Sequence, residues 1–249
     1  MSEETSNTCK NCGTISELHY CPACGQRISV YKVTFKETFE DLADSLFTVN
    51  APLIITLKLL IINPGKLFTS YLEGQRRKYY KPVAFFLLTT LVFILIRSLI
   101  GINVFENSNI VVQDSAETGE LLTKGRNFML LNINNLLFFF VFTLALCTKL
   151  FFYSKQTLAE YLAVAFYLVG MYTIIVTLNL FLIKYVGPQF QPLAIPVMGI
   201  YFLYALLSFF RKPILPIILK GIVLFFLAFM TYALLGFYLS VLIVYLNLA

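Results

Sequence analysis

The chain has 249 residues, of which 59% are hydrophobic and only 13% are charged, and its mean hydropathy is +0.79. It contains 25 Phe and 15 Tyr and has a formal net charge of +6. This composition excludes a soluble globular domain and indicates an integral membrane protein.

Two CxxC pairs lie near the start of the chain, in the sequences CKNCG and CPACG. Each CxxC turn points two sulfurs at one ion, and the glycine after each pair lets the backbone turn beneath it. Two such turns complete a tetrahedral four-sulfur site suited to zinc, with no position left for water or substrate. We therefore predict a zinc ribbon over residues 1–28, with a structural zinc held by Cys9, Cys12, Cys21 and Cys24.

A pair of disulfides is the competing interpretation of these cysteines. A disulfide within CxxC is strained and usually catalytic, and a thioredoxin-like site needs a surrounding strand–helix domain that about 25 residues cannot supply. His19 is the single histidine and lies two residues before Cys21. Because four thiolates already fill the coordination shell, His19 is expected to be a bystander.

Residues 29–82 are predicted to form amphipathic or interfacial helices on the cytoplasmic side. Thr34 and Glu37 form a capping-box pattern. Apolar residues then recur at helical spacing over residues 35–46, with acidic residues between them. This pattern is typical of one amphipathic helix.

The apolar run 51–62 is too short to cross a bilayer and is interpreted as an interfacial or re-entrant helix. Asn63 and Pro64 break the chain after it, with Asn63 placed to cap a new helix that begins at Pro64. The new helix leads to a juxtamembrane cluster just before the first span, formed by Arg76, Arg77, Lys78, Tyr79, Tyr80 and Lys81.

The juxtamembrane cluster has two possible roles. Cations beside a membrane are attracted to anionic headgroups by about 1 kcal/mol each, and interfacial tyrosines seat their rings at headgroup level. The cluster could therefore contact lipids or a partner selectively. The simpler interpretation is an anchor that fixes topology, since such anchors are common.

Five apolar runs of about 20 residues, the length that crosses about 30 Å of hydrocarbon, make residues 83–249 a membrane domain. The predicted spans are at about 83–100, 128–152, 158–183, 192–210 and 217–246. The polar stretch 101–127 has few apolar residues and is predicted to be a loosely structured connector. The predicted fold class is an all-α integral membrane protein with about five transmembrane helices, an N-terminal zinc ribbon and interfacial helices.

The distribution of Lys and Arg predicts the orientation. If the N-terminus is cytoplasmic, fifteen of these residues lie inside and three lie outside, at Lys124, Arg126 and Lys184. The positive-inside rule then places the N-terminus in the cytoplasm and, after five crossings, the C-terminus outside. A reducing cytoplasm also keeps the cysteines available as zinc thiolates. The expected location is the cytoplasmic (inner) membrane. No apolar run lies near Met1, so we expect no cleavable signal peptide.

The order of these elements resembles a family of uncharacterised bacterial multi-span membrane proteins with an N-terminal zinc ribbon. The resemblance covers mainly residues 9–82, from the CxxC pairs and YCPACGQ onward. Its most specific part is NPGK followed by YxxGxRxxYxxP, at residues 63–66, Tyr71, Gly74, Arg76, Tyr79 and Pro82. The resemblance implies an architecture but no established activity.

Ionisable side chains are scarce within the predicted spans. Arg97 lies near the outer end of the first span, from which it can snorkel. Glu160 lies at the inner end of another span, Asn179 is of a type that usually hydrogen-bonds between or within helices, and Cys147 is interpreted as a packing residue. No carboxylate pair, serine with a histidine base or HExxH motif occurs in the sequence, so no enzyme is expected.

Two classes of function therefore stay open. The first is a membrane scaffold or accessory subunit that docks a protein partner through its zinc ribbon and interfacial helices. The alternative is a transporter or lipid-handling protein without a proton-relay site. An interior cavity open to water or lipid would support the alternative, whereas close packing with an exposed apolar groove would support the scaffold. No nucleic-acid partner is expected, because the region from Cys9 to Arg27, called the knuckle below, carries only Lys10 and Arg27 as cations.

Overall fold

The fold is described from a computed structural model. It describes residues 8–28, 51–101, 117–153, 156–210 and 214–246. The predicted amphipathic helix over residues 35–46 lies outside these ranges.

The described residues are predominantly helical. Two isolated β-bridges, Thr8–Ile15 and Tyr20–Arg27, lie in the knuckle, and no strand occurs elsewhere in these ranges. The predicted all-α fold is confirmed. The elements are α1 (Ala51–Ile62), α2 (Pro64–Leu72), α3 (Pro82–Ile100), α4 (Glu117–Leu131), α5 (Ile133–Phe151), α6 (Leu158–Tyr185), a 3₁₀ helix (Pro188–Leu193), α7 (Ala194–Phe210) and α8 (Ile214–Tyr245).

Four helical segments in the described ranges are long and apolar enough to cross a membrane, which makes the chain a multi-pass membrane protein. They are Pro82–Ile100, Leu158–Tyr185, Pro188–Phe210 and Ile214–Tyr245. Pro52–Ile62 and Leu136–Phe151 are shorter apolar helices. The predicted span 128–152 coincides with the end of α4 and with α5, and its role as a fifth crossing stays a prediction.

Helix α4 occupies part of the polar stretch 101–127, where the sequence predicts a loosely structured connector. That prediction is wrong for residues 117–127. The helix packs along α8, and a Cβ at Gly125 would lie 2.4 Å from Val241 Cγ2. A glycine at this position lets the two helices approach closely, and the tertiary contact supplies the apolar surface that the stretch itself lacks.

The predicted chain break between α1 and α2 is confirmed. Asn63 Oδ1 accepts a hydrogen bond from Lys66 N at 3.0 Å, and Pro64 opens α2. Gly65 then brings the helix against α7, where a Cβ would lie 2.1 Å from the Ser208 carbonyl oxygen. Gly65 N also donates to Ser208 Oγ at 3.0 Å. The start of α2 is therefore fixed directly to α7.

Helix α7 also holds the end of α1. Tyr201 Oη donates to Leu60 O at 3.1 Å, and Tyr204 Oη donates to the carbonyls of Ile61 and Ile62. The last carbonyls of an α-helix have no partner within the helix, so these hydroxyl groups satisfy them. Both short helices thus depend on α7.

Tyr167 of α6 lies at the centre of the packed core. Its hydroxyl donates to Tyr80 O, and its ring packs on Phe68, Tyr71 and Phe85 with centroid distances of 6.2, 5.8 and 5.8 Å. These partners belong to α2, to α3 and to the segment between them. The membrane helices and the segment that precedes them therefore share one core.

Candidate metal centre and membrane cavity

The knuckle consists of two turns with the same hydrogen-bond pattern. In the first turn, Cys9 N donates to Thr14 O at 2.9 Å and Gly13 N donates to Cys9 O at 2.8 Å. The second turn repeats the pattern from Cys21, with distances of 2.8 and 2.7 Å. Gly13 and Gly25 have φ values of 79° and 67°, in the left-handed region that favours glycine. Each glycine therefore allows its turn to fold back beneath a cysteine pair.

The two turns bring the four predicted ligands together. The sulfurs of Cys9, Cys12, Cys21 and Cys24 all lie within 4.8 Å of one another. The Cys9–Cys24 distance is 3.6 Å and the Cys12–Cys21 distance is 3.5 Å. Sulfurs about 2.3 Å from a tetrahedral ion lie about 3.8 Å apart, so this cluster fits one four-coordinate metal ion. All five cysteines, including Cys147, are free, and the disulfide interpretation has no support.

The thiols of this cluster differ in acidity. Thr14 Oγ1 lies 3.2 Å from the Cys12 sulfur and lowers the pKa of that thiol to about 6. Burial raises the pKa of the Cys24 thiol to about 11. Four thiolates this close would repel one another, so their full ionisation requires a cation among them. His19 is exposed and is not one of the grouped ligands.

Three hydrogen bonds join the knuckle to the turn that follows α2. Gln26 Nε2 donates to Gly74 O at 2.7 Å, and Gln26 Oε1 accepts from Arg77 N at 3.1 Å. Arg77 Nη1 donates to Gly25 O at 2.7 Å. We call this set of four residues, Gly25, Gln26, Gly74 and Arg77, the knuckle clamp. It brings the CPACGQ and YLEGQRR segments together, a contact that sequence reasoning missed.

The tyrosines of the juxtamembrane cluster lie inside the protein. Tyr79 and Tyr80 are both buried, and Tyr80 N donates to Thr56 Oγ1 of α1 at 2.9 Å. The Tyr80 carbonyl accepts from Tyr167, as described above. The two rings therefore pack against the chain rather than at the headgroup surface that the sequence suggests.

The cations of the cluster take separate positions. Arg77 belongs to the knuckle clamp, although its side chain is still exposed. Lys78 is exposed, with its Nζ 5.8 Å from the centroid of the Tyr79 ring. For Arg76, Lys78 and Lys81, contact with lipid or with a partner stays a prediction.

A cavity of about 720 Å³ lies among the long helices. Residues from α3 to α8 and from the 3₁₀ helix line it, and most of its wall is apolar. Large side chains of this wall are Phe93, Phe140, Met198, Phe225 and Phe229. Ligand sites in proteins have volumes of about 300–1,000 Å³ and are mostly apolar, so the cavity has the size and the character of a binding site.

A few polar residues interrupt the apolar wall. Of the described residues that line the cavity, Arg97 is the one that carries charge, and none is a carboxylate, histidine, serine or cysteine. Asn179 is 5% exposed and donates through Nδ2 to Gln191 O at 3.4 Å. Gln189, Gln191 and Thr173 also line the cavity. The sequence indicated a snorkelling role for Arg97 and a helix-bonding role for Asn179, and it gave no sign that both face one cavity.

Residues 52–94 match a family described as a protein of unknown function (DUF3667). This match covers less than half of the chain and runs from α1 into α3. No curated protein and no solved structure matches the chain. The matched stretch contains the Asn63 break, Gly65 and two members of the knuckle clamp, so it includes the segments that contact the knuckle, α6 and α7. The CxxC pairs lie outside it.

Proposed function

We propose that this chain is a lipid-handling membrane protein that holds an apolar or amphipathic molecule in the cavity among its long helices. The cavity of about 720 Å³ is the observation that carries this proposal. Packed protein interiors have few voids larger than a water molecule, so an apolar space of this size is expected to have an occupant. An interior cavity is also a feature that lipid handling requires and pure scaffolding does not.

The position of the cavity supports uptake from the surrounding bilayer. Pro188, Gln189, Pro192 and Ile195 line it and are exposed. Three of the four are apolar, so a hydrocarbon chain could enter beside Pro188, Pro192 and Ile195. Because the described lining residues include no carboxylate, histidine, serine or cysteine, we propose binding or transfer of the ligand rather than its chemical conversion.

Val176 offers a direct test because it lines the cavity on α6, whereas Leu178, two residues later, is exposed. Protein purified from native membranes in a mild detergent should carry about one hydrocarbon-chain molecule per chain, detected by native mass spectrometry and lipid extraction. Val176→Phe narrows the cavity and should lose most of this occupancy. Leu178→Phe is the matched control and should retain it. Purified protein without bound lipid, or equal occupancy in both variants, would contradict the proposal.

We propose that the metal of the knuckle is zinc in a structural role. The support is a donor set of four thiols at spacings that fit a tetrahedral ion. Such a set favours zinc in a reducing compartment and leaves no coordination position for substrate. Bound zinc would stabilise the fold of the knuckle, and through the knuckle clamp it would also hold the turn after α2.

We further propose that the chain lies in the inner membrane of a bacterium with its N-terminus in the cytoplasm. The excess of Lys and Arg on that side supports this orientation, as does the need for reduced cysteine thiols. The resemblance of residues 9–82 to a bacterial family supports the assignment to a bacterial membrane.

A scaffold function is the second candidate, and one observation favours it. The loop between the two CxxC pairs exposes Ile15, Leu18 and Tyr20, with Ile15 76% exposed. Contiguous exposed apolar residues on a small domain are typical of an interaction surface. A photoreactive amino acid at Leu18 should then give one discrete protein adduct in cells, and Ile15→Ser should reduce it. Adducts with lipid alone would argue against a protein partner at this loop.

A further inference from the structure

A buried asparagine lines the cavity beside the 3₁₀ helix. Asn179 lies between one and two turns before the end of α6. Its Nδ2 donates to the backbone carbonyl of Gln191 in the 3₁₀ helix, which follows α6 directly. Gln189 of the same 3₁₀ helix is exposed and also lines the cavity. Asn179 therefore belongs to the end of the cavity that the 3₁₀ helix borders.

The hydrogen bonding of Asn179 is incomplete. The residue is only 5% exposed, and its Oδ1 is buried without a hydrogen-bond partner in the described structure. Thr173, on the same wall, has its partners within the protein, because its Oγ1 lies 2.7 Å from Gly170 O and 2.8 Å from Thr89 Oγ1. A buried acceptor without a donor is destabilising and needs an explanation. Asn179 Oδ1 therefore calls for a donor that comes from outside the protein.

The Asn179 amide is held weakly enough to turn toward a ligand. Its Nδ2 lies 3.4 Å from Gln191 O, whereas N–H···O hydrogen bonds usually measure about 2.7–3.2 Å. The torsion that turns a terminal amide also has broad minima. Because Asn179 lines the cavity, a small rotation about its Cβ–Cγ bond would present Oδ1 to a donor inside it.

The surroundings of Asn179 favour an uncharged donor. Much of the wall is aromatic, including Phe140 and Phe229, and no described lining residue is a carboxylate that could pair with an ammonium group. Arg97 also lines the cavity, but it already has an interaction within the protein and does not by itself call for an anion. An ionised carboxylate only accepts hydrogen bonds, so it cannot satisfy Oδ1. A hydroxyl group donates a hydrogen bond and carries no charge.

We propose that the cavity binds an uncharged amphiphile with a hydroxyl headgroup, which donates to Asn179 Oδ1 while the hydrocarbon chain lies along Phe140 and Phe229. This inference rests on the proposed lipid-handling function and adds the chemical class of the ligand. A water molecule at Oδ1 is the competing occupant. Water there predicts no preference of the cavity for a hydroxyl headgroup, so the two interpretations are separable.

The test compares oleyl alcohol with oleyl methyl ether, which has the same chain and an oxygen that accepts but cannot donate. Binding is measured on the full-length protein in a nonionic detergent and corrected for the partition of each probe into protein-free micelles. Wild-type protein should bind the alcohol roughly three- to tenfold more tightly, the value of one hydrogen bond. Asn179→Leu should remove this preference and still bind the ether. Thr177→Val is the matched control, because Thr177 is buried on the same helix outside the cavity wall.

The possible outcomes separate the class of ligand from the function. Equal corrected affinities of wild-type protein for the two probes would overturn the hydroxyl class and leave lipid handling intact, whereas binding of neither probe would overturn both. A preference for the alcohol that survives in Asn179→Leu would refute the role of Asn179. Tighter binding of oleate than of oleyl alcohol would overturn the uncharged class. If Asn179→Leu does not fold, the comparison of the probes on wild-type protein still decides the class.

Discussion

Replacing Gln26 with alanine removes the central side chain of the knuckle clamp and should release the knuckle from the turn after α2. The change deletes the bonds to Gly74 O and from Arg77 N, at 2.7 and 3.1 Å. Each hydrogen bond contributes about 0.5–1.5 kcal/mol net, and a buried backbone group without a partner costs about 1–3 kcal/mol. Because Gln26 is only 7% exposed, water replaces these bonds poorly. We expect the free energy of docking to fall by roughly 2–4 kcal/mol.

This loss corresponds to an increase of roughly 30-fold to several hundredfold in the undocked fraction. Hydrogen exchange followed by mass spectrometry measures it, because the Arg77 amide should exchange faster by a similar factor. The metal content should not change, since Cys21 N bonds the backbone carbonyl of residue 26, which alanine retains. Gln75→Ala is the matched control, since Gln75 is a glutamine beside Gly74 whose side chain makes no described hydrogen bond. Unchanged exchange at Arg77, or metal loss equal to that of a cysteine variant, would refute the reasoning.

Three further predictions concern the metal, the packing and the topology. Protein purified under reducing conditions should carry about one zinc per chain by elemental analysis, and Cys21→Ser should lose it; wild-type protein free of metal would contradict the site. Gly65→Ala places a Cβ 2.1 Å from a carbonyl oxygen of α7 and should lower the free energy of unfolding by about 1–3 kcal/mol or more. Gly199→Ala is the control and should be tolerated, because the atom nearest to its Cβ lies at 3.5 Å. Equal melting temperatures of the two variants would count against the close contact. A cysteine at Ser115 should react with an impermeant thiol reagent from outside intact cells and a cysteine at Ser70 should not, and the reverse labelling would overturn the orientation.

The features that the sequence predicted correctly have local causes. The four cysteines are close in sequence, and the turn that follows each pair is fixed by its own residues and by one glycine. The break at Asn63 and Pro64 is likewise local, because the cap and the first helical residue are neighbours. The capping box of α6 has a local signal too, in the spacing of Thr157 and Glu160. Glu160 at the start of that helix therefore acts as a cap.

The features that could not be predicted arise from contacts between distant segments. Gln26 and Arg77 are 51 residues apart, and nothing in the periodicity of either segment indicates that they meet. The contact between Gly125 and α8 is also long-range, so the sequence alone predicts a loose connector where α4 lies. The cavity is harder still to predict from sequence. Its volume is a small difference between the space that the helices enclose and the summed volumes of many side chains.

The fixing of α1 by α7 also has a consequence for how the protein is made. The carbonyls at the end of α1 accept hydrogen bonds from Tyr201 and Tyr204, which lie 141 to 143 residues later in the chain. At about 5–20 residues per second of synthesis, roughly 7–30 s pass before these hydroxyls emerge. During this interval the end of α1 and the start of α2 need other partners, such as water or lipid headgroups. Helices α1 and α2 should therefore reach their final places only after α7 has been made.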